Sequence, residues 1–357
     1  MSKLVLAINP GSTSTKFGLF ADDKMIFDET IRHSAKEISR FKKISDQLSF
    51  RKELIVKELK KRNLNFKKIS AIVGRGGLLK PIESGVYEVN ELMKQELASG
   101  DRGEHASNLG GQIASEIASD IPGSIALIVD PVVVDEMHDV ARLSGHPLLQ
   151  RRSIFHALNQ KAVARAYAES LNKKYEDLNL VVAHMGGGIS VGAHQKGRVV
   201  DVNNALNGEG PFSPERSGTL PVGQLVKLCF SGGYTEEEVM KMINGRGGMV
   251  AYLDTNNFKE ICEKADSGDE KAKLVKEASS YQIAKDIAAC AAVMKGRVDA
   301  IILTGGMAYE KSHTEYIREM VDFIADVIIY PGEDELQALA HNGFLAIDNK
   351  ISIKEYK

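Results

Sequence analysis

Leu4-Val5-Leu6-Ala7-Ile8-Asn9-Pro10-Gly11 and, about half a chain later, Asn179-Leu180-Val181-Val182-Ala183-His184-Met185-Gly186 are built alike. Each is an apolar run, a polar residue, a spacer and a glycine, followed by a second strand pattern. At that separation the repeat predicts a duplicated domain, or else two ordinary hairpins. In a duplicated domain, each copy would end a buried strand in a glycine-containing turn rich in hydroxyl or amide groups. Two such turns facing across a cleft would grip the phosphates of a nucleotide from both sides.

Outward from these stretches the pattern is α/β. Strand signals at 3–8, 15–20 and 24–30 form hairpins at a sheet edge, and helical spacing of apolar residues from Ile38 to Leu59 predicts a helix over 35–62 with one interruption. A strand at 69–73 ends in Gly74-Arg75-Gly76-Gly77, a helix rich in small residues covers 105–121, and a strand at 124–129 ends at Asp130. The second half repeats the alternation: helix 158–172, strand 180–183, a hairpin of 189–193 and 198–202, a helix to 243 begun by a Thr235/Glu238 capping box, helix 272–293, strand 300–303, and a last strand at 327–330.

The chain has 357 residues, of which 43% are hydrophobic and 26% charged, with a net charge of -2. That length favours two domains, and near-neutrality lacks the basic footprint of a nucleic-acid binder. The one dense basic run, at 57–68, is mixed with Glu58 and apolar residues and reads as a solvated helix end. Cys229, Cys262 and Cys290 form no CxxC pair and suit reduced thiols in a cytoplasm. No apolar run is long enough for a signal peptide or a membrane span, so a soluble cytoplasmic protein is expected.

The common nucleotide signatures are absent: no phosphate loop ending in Gly-Lys-Ser/Thr occurs, and no GxGxxG joins a strand to a helix. Gly188-Ile189-Ser190-Val191-Gly192 matches a GxSxG elbow, with Asp299 and His313 as possible partners, but its strand-turn-strand context argues against a hydrolase. Asn9 to Lys16 places four consecutive hydroxyl residues and a lysine after a buried strand, a set suited to phosphate oxygens. Gly305-Gly306 leaves backbone bare of side chains, against which a flat ring such as adenine could lie. Arg75 and Arg216 sit in glycine- or proline-rich loops, where functional charges are displayed. Glu209 and Glu215 read as carboxylates that orient these arginines or face water. His156 and His184 read locally either as structural histidines or as functional ones.

Asn9-x-Gly11-Ser12-Thr13-Ser14-x-Lys16, Arg152-x-x-Phe155-His156, His184-x-Gly186-x-Gly188-x-Ser190, Arg216-Ser217-Gly218 and Thr304-Gly305-Gly306, in that order, resemble the acetate and butyrate kinase family. The resemblance runs from Leu4 to about Leu336. The loop from Gly208 to Arg216 is similar to butyrate and branched-chain fatty acid kinases more than to acetate kinases. The resemblance implies two duplicated domains of the actin, hexokinase and sugar-kinase type. These are a carboxylate-side domain at 1–152, on which a terminal helix at 337–357 is a candidate to pack, and a nucleotide-binding domain at 153–336.

It also implies ATP-dependent phosphorylation of butyrate or isobutyrate to the acyl phosphate, with Mg2+, in a homo-oligomer without nucleic-acid or membrane partners. Acetate or propionate is the alternative acceptor. Sugar kinases normally carry an aspartate where Asn9 stands, and a chaperone of the same fold would need a peptide-binding region beyond the tail seen here. By similarity Asn9, Ser12, Ser14 and Lys16 lie at the phosphates and metal, and Gly186, Gly188, Gly305 and Gly306 at the nucleotide. Arg75 and Arg216 grip the carboxylate and the phosphoryl group, and His156 and His184 contact the latter. Asp130 matches the family's catalytic aspartate, and Glu335, from Glu333-Asp334-Glu335, serves the metal.

Elementary chemistry fits this set. A carboxylic acid with a pKa near that of Glu, about 4.3, is already ionised at pH 7, so attack on a γ-phosphoryl group requires no general base. The task is to neutralise two approaching anions, and arginines, histidine donors, a lysine and a cation do that. Asp130 is then a positioner of metal or water and not a proton acceptor.

Overall fold

The computed structural model describes residues 3–62 and 68–357, and positions 63–67 of the basic run lie outside them. The strands, in chain order, are β1 (Leu4–Pro10), β2 (Ser14–Ala21), β3 (Lys24–Arg32), β4 (Ile69–Arg75), β5 (Val86–Glu88), β6 (Ile125–Val129), β7 (Asn179–Met185), β8 (Ile189–Gln195), β9 (Arg198–Val202), β10 (Ala300–Gly305), β11 (Val327–Pro331) and β12 (Ile353–Lys354). Two compact units result: Met1–Val134 with Asp334–Lys357, and Asp135–Glu333.

The first unit holds a seven-stranded sheet in the order β12-β5-β6-β4-β1-β2-β3, and the second a five-stranded sheet in the order β11-β10-β7-β8-β9. The order β6-β4-β1-β2-β3 matches β11-β10-β7-β8-β9 strand for strand. In both, the first three strands are parallel and the last two pairings antiparallel. The repeat read from two octapeptides therefore extends over five strands. β1 and β7 occupy the same place, with Asn9 and His184 at equivalent positions near their carboxyl ends.

These central strands are apolar on both faces because both faces are covered: Val5 to Ile8 and Leu180 to Ala183 are completely buried. In the first unit the helix Asn108–Ser119 comes very close to β4, since a Cβ on Gly110 would stand 2.1 Å from the Arg75 carbonyl oxygen and one on Gly74 2.2 Å from that of Gly110. Two glycines thus permit the contact that fixes the Arg75 backbone.

Three expectations differ from the structure. The division falls at Val134/Asp135 and not after Arg152. Residues 135–152 carry only the short helix Asp139–Arg142. They are tied to the second unit by the His138 N–H to Val200 O at 2.9 Å and the Arg151–Asp201 pair at 2.9 Å, long-range contacts that no local pattern displays. The stretch 35–62 is broken into helix Ala35–Ile38, a single turn Ser45–Gln47 and helix Leu48–Lys61. A Ser34/Glu37 capping box starts the first piece. Gln47 and Arg51 are turned into the protein, which sets the start of the last. Finally, β11 is not the last strand: β12, two residues long, pairs with β5 and is followed by the buried Tyr356.

The Thr235/Glu238 capping box is present at helix Glu236–Ile243. All three cysteines are free. Among the described residues no helix is long and apolar enough to cross a membrane.

Candidate active site

In the first unit, Asn9, Arg75 and Asp130 stand at or just beyond the carboxyl ends of β1, β4 and β6, where parallel sheets present their functional groups. Glu335, the first residue of helix Glu335–Ile347, joins two of them. Asn9 Nδ2 donates to Glu335 Oε2, and Arg75 Nη1 reaches the same oxygen at 3.0 Å and Asn9 Oδ1 at 3.3 Å. The Glu335 side chain is only 7% exposed and the Arg75 side chain 20%, so the pair is shielded from bulk water. Asp130 is buried in a left-handed conformation (φ 37°), and its carboxylate accepts from Ser84 Oγ at 2.6 Å and Gly85 N at 2.8 Å. Such a backbone persists only where surrounding contacts impose it.

The turn from Gly11 to Ser14 is held from behind by Arg51, a residue the sequence disguised as one more surface cation of a basic helix. Its guanidinium donates to the carbonyls of Gly11, Ser12 and Ser14 at 2.7, 3.2 and 2.9 Å. With three carbonyls turned to Arg51, Ser12 lies exposed and Ser14 half-buried. Burial pulls the Arg51 pKa down to about 10, still far above neutral, so the clamp stays charged. Lys16 pairs across the hairpin with Asn9, and its half-exposed ammonium stands 3.7 Å from Asp28.

In the second unit, His184 near the end of β7 and His156, the residue before helix Ala157–Ser170, stack with ring centroids 3.8 Å apart and planes 13° from parallel. His184 Nδ1 is 2.7 Å from Asn159 Oδ1, and its Nε2 is 3.3 Å from Glu333 Oε1. His156 Nδ1 is 2.9 Å from Ser190 Oγ. The acidic run is thereby distributed among three tasks. Glu333 meets His184, Asp334 caps the last long helix through Gln337 N, and Glu335 meets Asn9 and Arg75.

Arg216 Nη1 donates to Ala205 O at 2.8 Å, and the guanidinium lies over Gly188, where a Cβ would be 1.8 Å from Nη1. Gly186 lies beside both His184 Nε2 and Glu333 Oε1, each 3.2 Å from where a Cβ would stand. Gly305 has φ 89°, and a Cβ there would meet Met185 O at 2.4 Å, whereas one on Gly306 would meet open space. The pair thus combines an obligatory glycine with a bare, exposed backbone. Glu209 pairs with Arg151 at 3.3 Å, and Glu215 accepts from Asn256 Nδ2 at 3.3 Å.

The elbow reading fails on geometry as well as context. Ser190 sits inside β8 beside His156, Asp299 accepts from the Asn179 N–H, and His313 is buried against Ser280. Among the described residues no group of three or more His, Cys, Asp or Glu could enclose a metal. A cation that keeps its waters and shares phosphate oxygens needs only one or two protein oxygens, and the Glu335 carboxylate and the Asn9 amide oxygen, both of which accept from Arg75 Nη1, are hard oxygens of that kind.

The model of the acetokinase family matches residues 137–328. Butyrate kinase 2 of Clostridium acetobutylicum is 58% identical over 353 residues, 99% of each chain, and butyrate kinase 1 of the same organism matches to the same extent. Among solved structures, the acetate kinase of Porphyromonas gingivalis has a TM-score of 0.80 at 20% identity, covering 97% of this chain and 100% of that one. At that identity the likeness is one of fold.

Proposed function

The chain belongs to the acetokinase family, and from that premise we propose that it transfers the γ-phosphoryl group of ATP reversibly to a short-chain fatty acid, with butyrate or isobutyrate as acceptor. The observation that carries this reading is the 58% identity to butyrate kinases over 99% of both chains. A carboxylate oxygen forms a bond to the γ-phosphorus, the bond from that phosphorus to the β,γ-bridging oxygen breaks, and its electron pair leaves with ADP. No proton moves, so the site needs charge and position.

In this reading Arg75 and Arg216 neutralise the carboxylate and the transferring group, and His156 and His184 donate to phosphoryl oxygens. Asp130, held by Ser84 and Gly85, orients metal or water. The Arg51-backed turn with Ser12, Ser14 and Lys16 receives phosphate, and Gly186, Gly188, Gly305 and Gly306 give the nucleotide its close approach. Mg2+ would be held by Glu335 and Asn9 and would supply charge neutralisation at the phosphates. A homo-oligomer is supported by apolar side chains left exposed on the second unit, among them Val140, Leu148 and Phe230. Free cysteines suit the cytoplasm.

The test is to incubate the protein with MgATP, hydroxylamine and acetate, propionate, butyrate or isobutyrate in turn. Acyl hydroxamate forms if the reading is right, most efficiently with a four-carbon acid. No hydroxamate with any of the four acids defeats it.

A further inference from the structure

Ser190 has no place in a hydrolase, and its surroundings give it another. Its hydroxyl lies 2.9 Å from His156 Nδ1 and 2.8 Å from Gln160 Nε2. The Gln160 carboxamide is oriented by a group that can only accept: Nε2 also reaches the Ser190 backbone carbonyl, at 2.9 Å. The amide nitrogen therefore faces Ser190, and the amide oxygen faces away. That oxygen is 2.9 Å from His194 Nε2, which must carry its proton there. His194 is completely buried, and burial, with the charges of Lys161 and Arg165, drives its pKa well below the ordinary histidine value. The ring is neutral, and its Nδ1 accepts from the Tyr175 hydroxyl at 2.7 Å. Every proton from Tyr175 to Gln160 points towards Ser190.

Ser190 Oγ accepts from Gln160 Nε2 and, at 3.4 Å, from the His156 backbone N–H. Both lone pairs are used, and its own proton is left for His156 Nδ1. We infer that the buried chain from Tyr175 through His194 and Gln160 to Ser190 fixes His156 in the tautomer that carries its proton on Nε2, making these four positioning residues for phosphoryl transfer. The consequence for catalysis rests on the proposed role of His156 as a donor to phosphoryl oxygen, which an Nε2 lone pair would repel. The tautomer itself does not depend on that role.

The sequence pattern fits the relay. Ser190 and His194 are four apart on β8 and share a face, and between them on that face stands Gly192. A Cβ on Gly192 would lie 2.7 Å from Gln160 Oε1 and 3.3 Å from His194 Nε2. The glycine is the opening through which Gln160 joins the two. In Gly188-x-Ser190-x-Gly192, the first glycine then admits Arg216, the serine sets His156, and the second glycine admits Gln160.

Long-range proton–nitrogen spectra of the whole enzyme labelled with 15N-histidine test this, with His156 assigned through His156→Asn. The parent should show protonated Nε2 and an unprotonated, hydrogen-bonded Nδ1 at His156. Ser190→Ala and Gln160→Met should move these resonances towards values averaged over both tautomers. They should lower kcat by roughly ten- to a hundredfold with KM values nearly unchanged, and Ser190→Thr, which keeps the hydroxyl, should recover the parent spectrum. A parent with its proton on Nδ1 overturns the inference whether or not any variant folds. So do variants that keep both the parent resonances and kcat within threefold. A parent that shows the Nε2 tautomer yet makes no acyl phosphate refutes the kinase reading and leaves the relay standing.

Discussion

Replacing Gly188 by alanine isolates the position of Arg216 from its charge. The added Cβ would stand 1.8 Å from Nη1, 2.6 Å from Cζ and 3.2 Å from Nε of that arginine, while non-bonded atoms settle at about 3.5 Å or more. The guanidinium must therefore retreat by roughly 1.5 Å, and its bond to Ala205 O at 2.8 Å is lost. The backbone stays, because Ser213 Oγ accepts from the Arg216 N–H and Ser213 N donates to the Arg216 carbonyl. If Arg216 grips the transferring phosphoryl group as proposed, a displacement of that size should cost about a hundredfold or more in kcat, or about 2.7 kcal/mol of transition-state stabilisation. Moving a flexible side chain should cost the fold no more than about 1 kcal/mol. The assay is the initial rate of acyl hydroxamate formation, with nucleotide affinity by calorimetry and Tm measured beside it. A Gly188→Ala enzyme that turns over within threefold of the parent, with Tm unchanged, refutes the argument that Arg216 works from this position.

Arg216→Lys keeps the charge but loses the planar fork, and turnover should fall about a hundredfold with little change in nucleotide binding. A loss of only a few-fold would make Arg216 a general surface charge. Butyrate carries two methylenes more than acetate, each giving about 0.8 kcal/mol when buried, so its specificity constant should exceed that of acetate by about fifteenfold. Equality measured under one set of conditions would mark an acetate kinase with an unusual loop. Asp286 is pushed up from 3.8 to about 6 by burial, so holding it ionised costs stability that grows as pH rises through that interval and persists above it. Asp286→Asn should stabilise the protein at pH 7 by about 2 kcal/mol, with the gain vanishing near pH 3.5, as urea titrations at the two pH values would show.

What could be read in the sequence is what local chemistry writes there. The octapeptides ending in Asn9-Pro10-Gly11 and His184-Met185-Gly186 announced equivalent strands because both are buried on two faces and both end at a turn. The glycines around Arg75 and Gly305 stood out because close approach and a left-handed backbone leave no other residue. The parts that stayed hidden act over long sequence distances. Arg51 looks like its solvated neighbours in a basic helix, and only the fold turns it under the Gly11–Ser14 turn. Asn159, Gln160 and His194 carry no motif, because their work is to bond residues that do. Glu333 and Glu335, two positions apart, meet different partners, and composition alone could not divide them.

The central claim is that a carboxylate oxygen attacks the γ-phosphorus of ATP directly. Butyrate labelled with 18O in both carboxylate oxygens, incubated with the enzyme and MgATP and followed by 31P NMR, tests it. The account predicts a new acyl phosphate resonance displaced by one bridging 18O, with ADP free of label. Unlabelled acyl phosphate, or inorganic phosphate and ADP with no acyl phosphate, would contradict it.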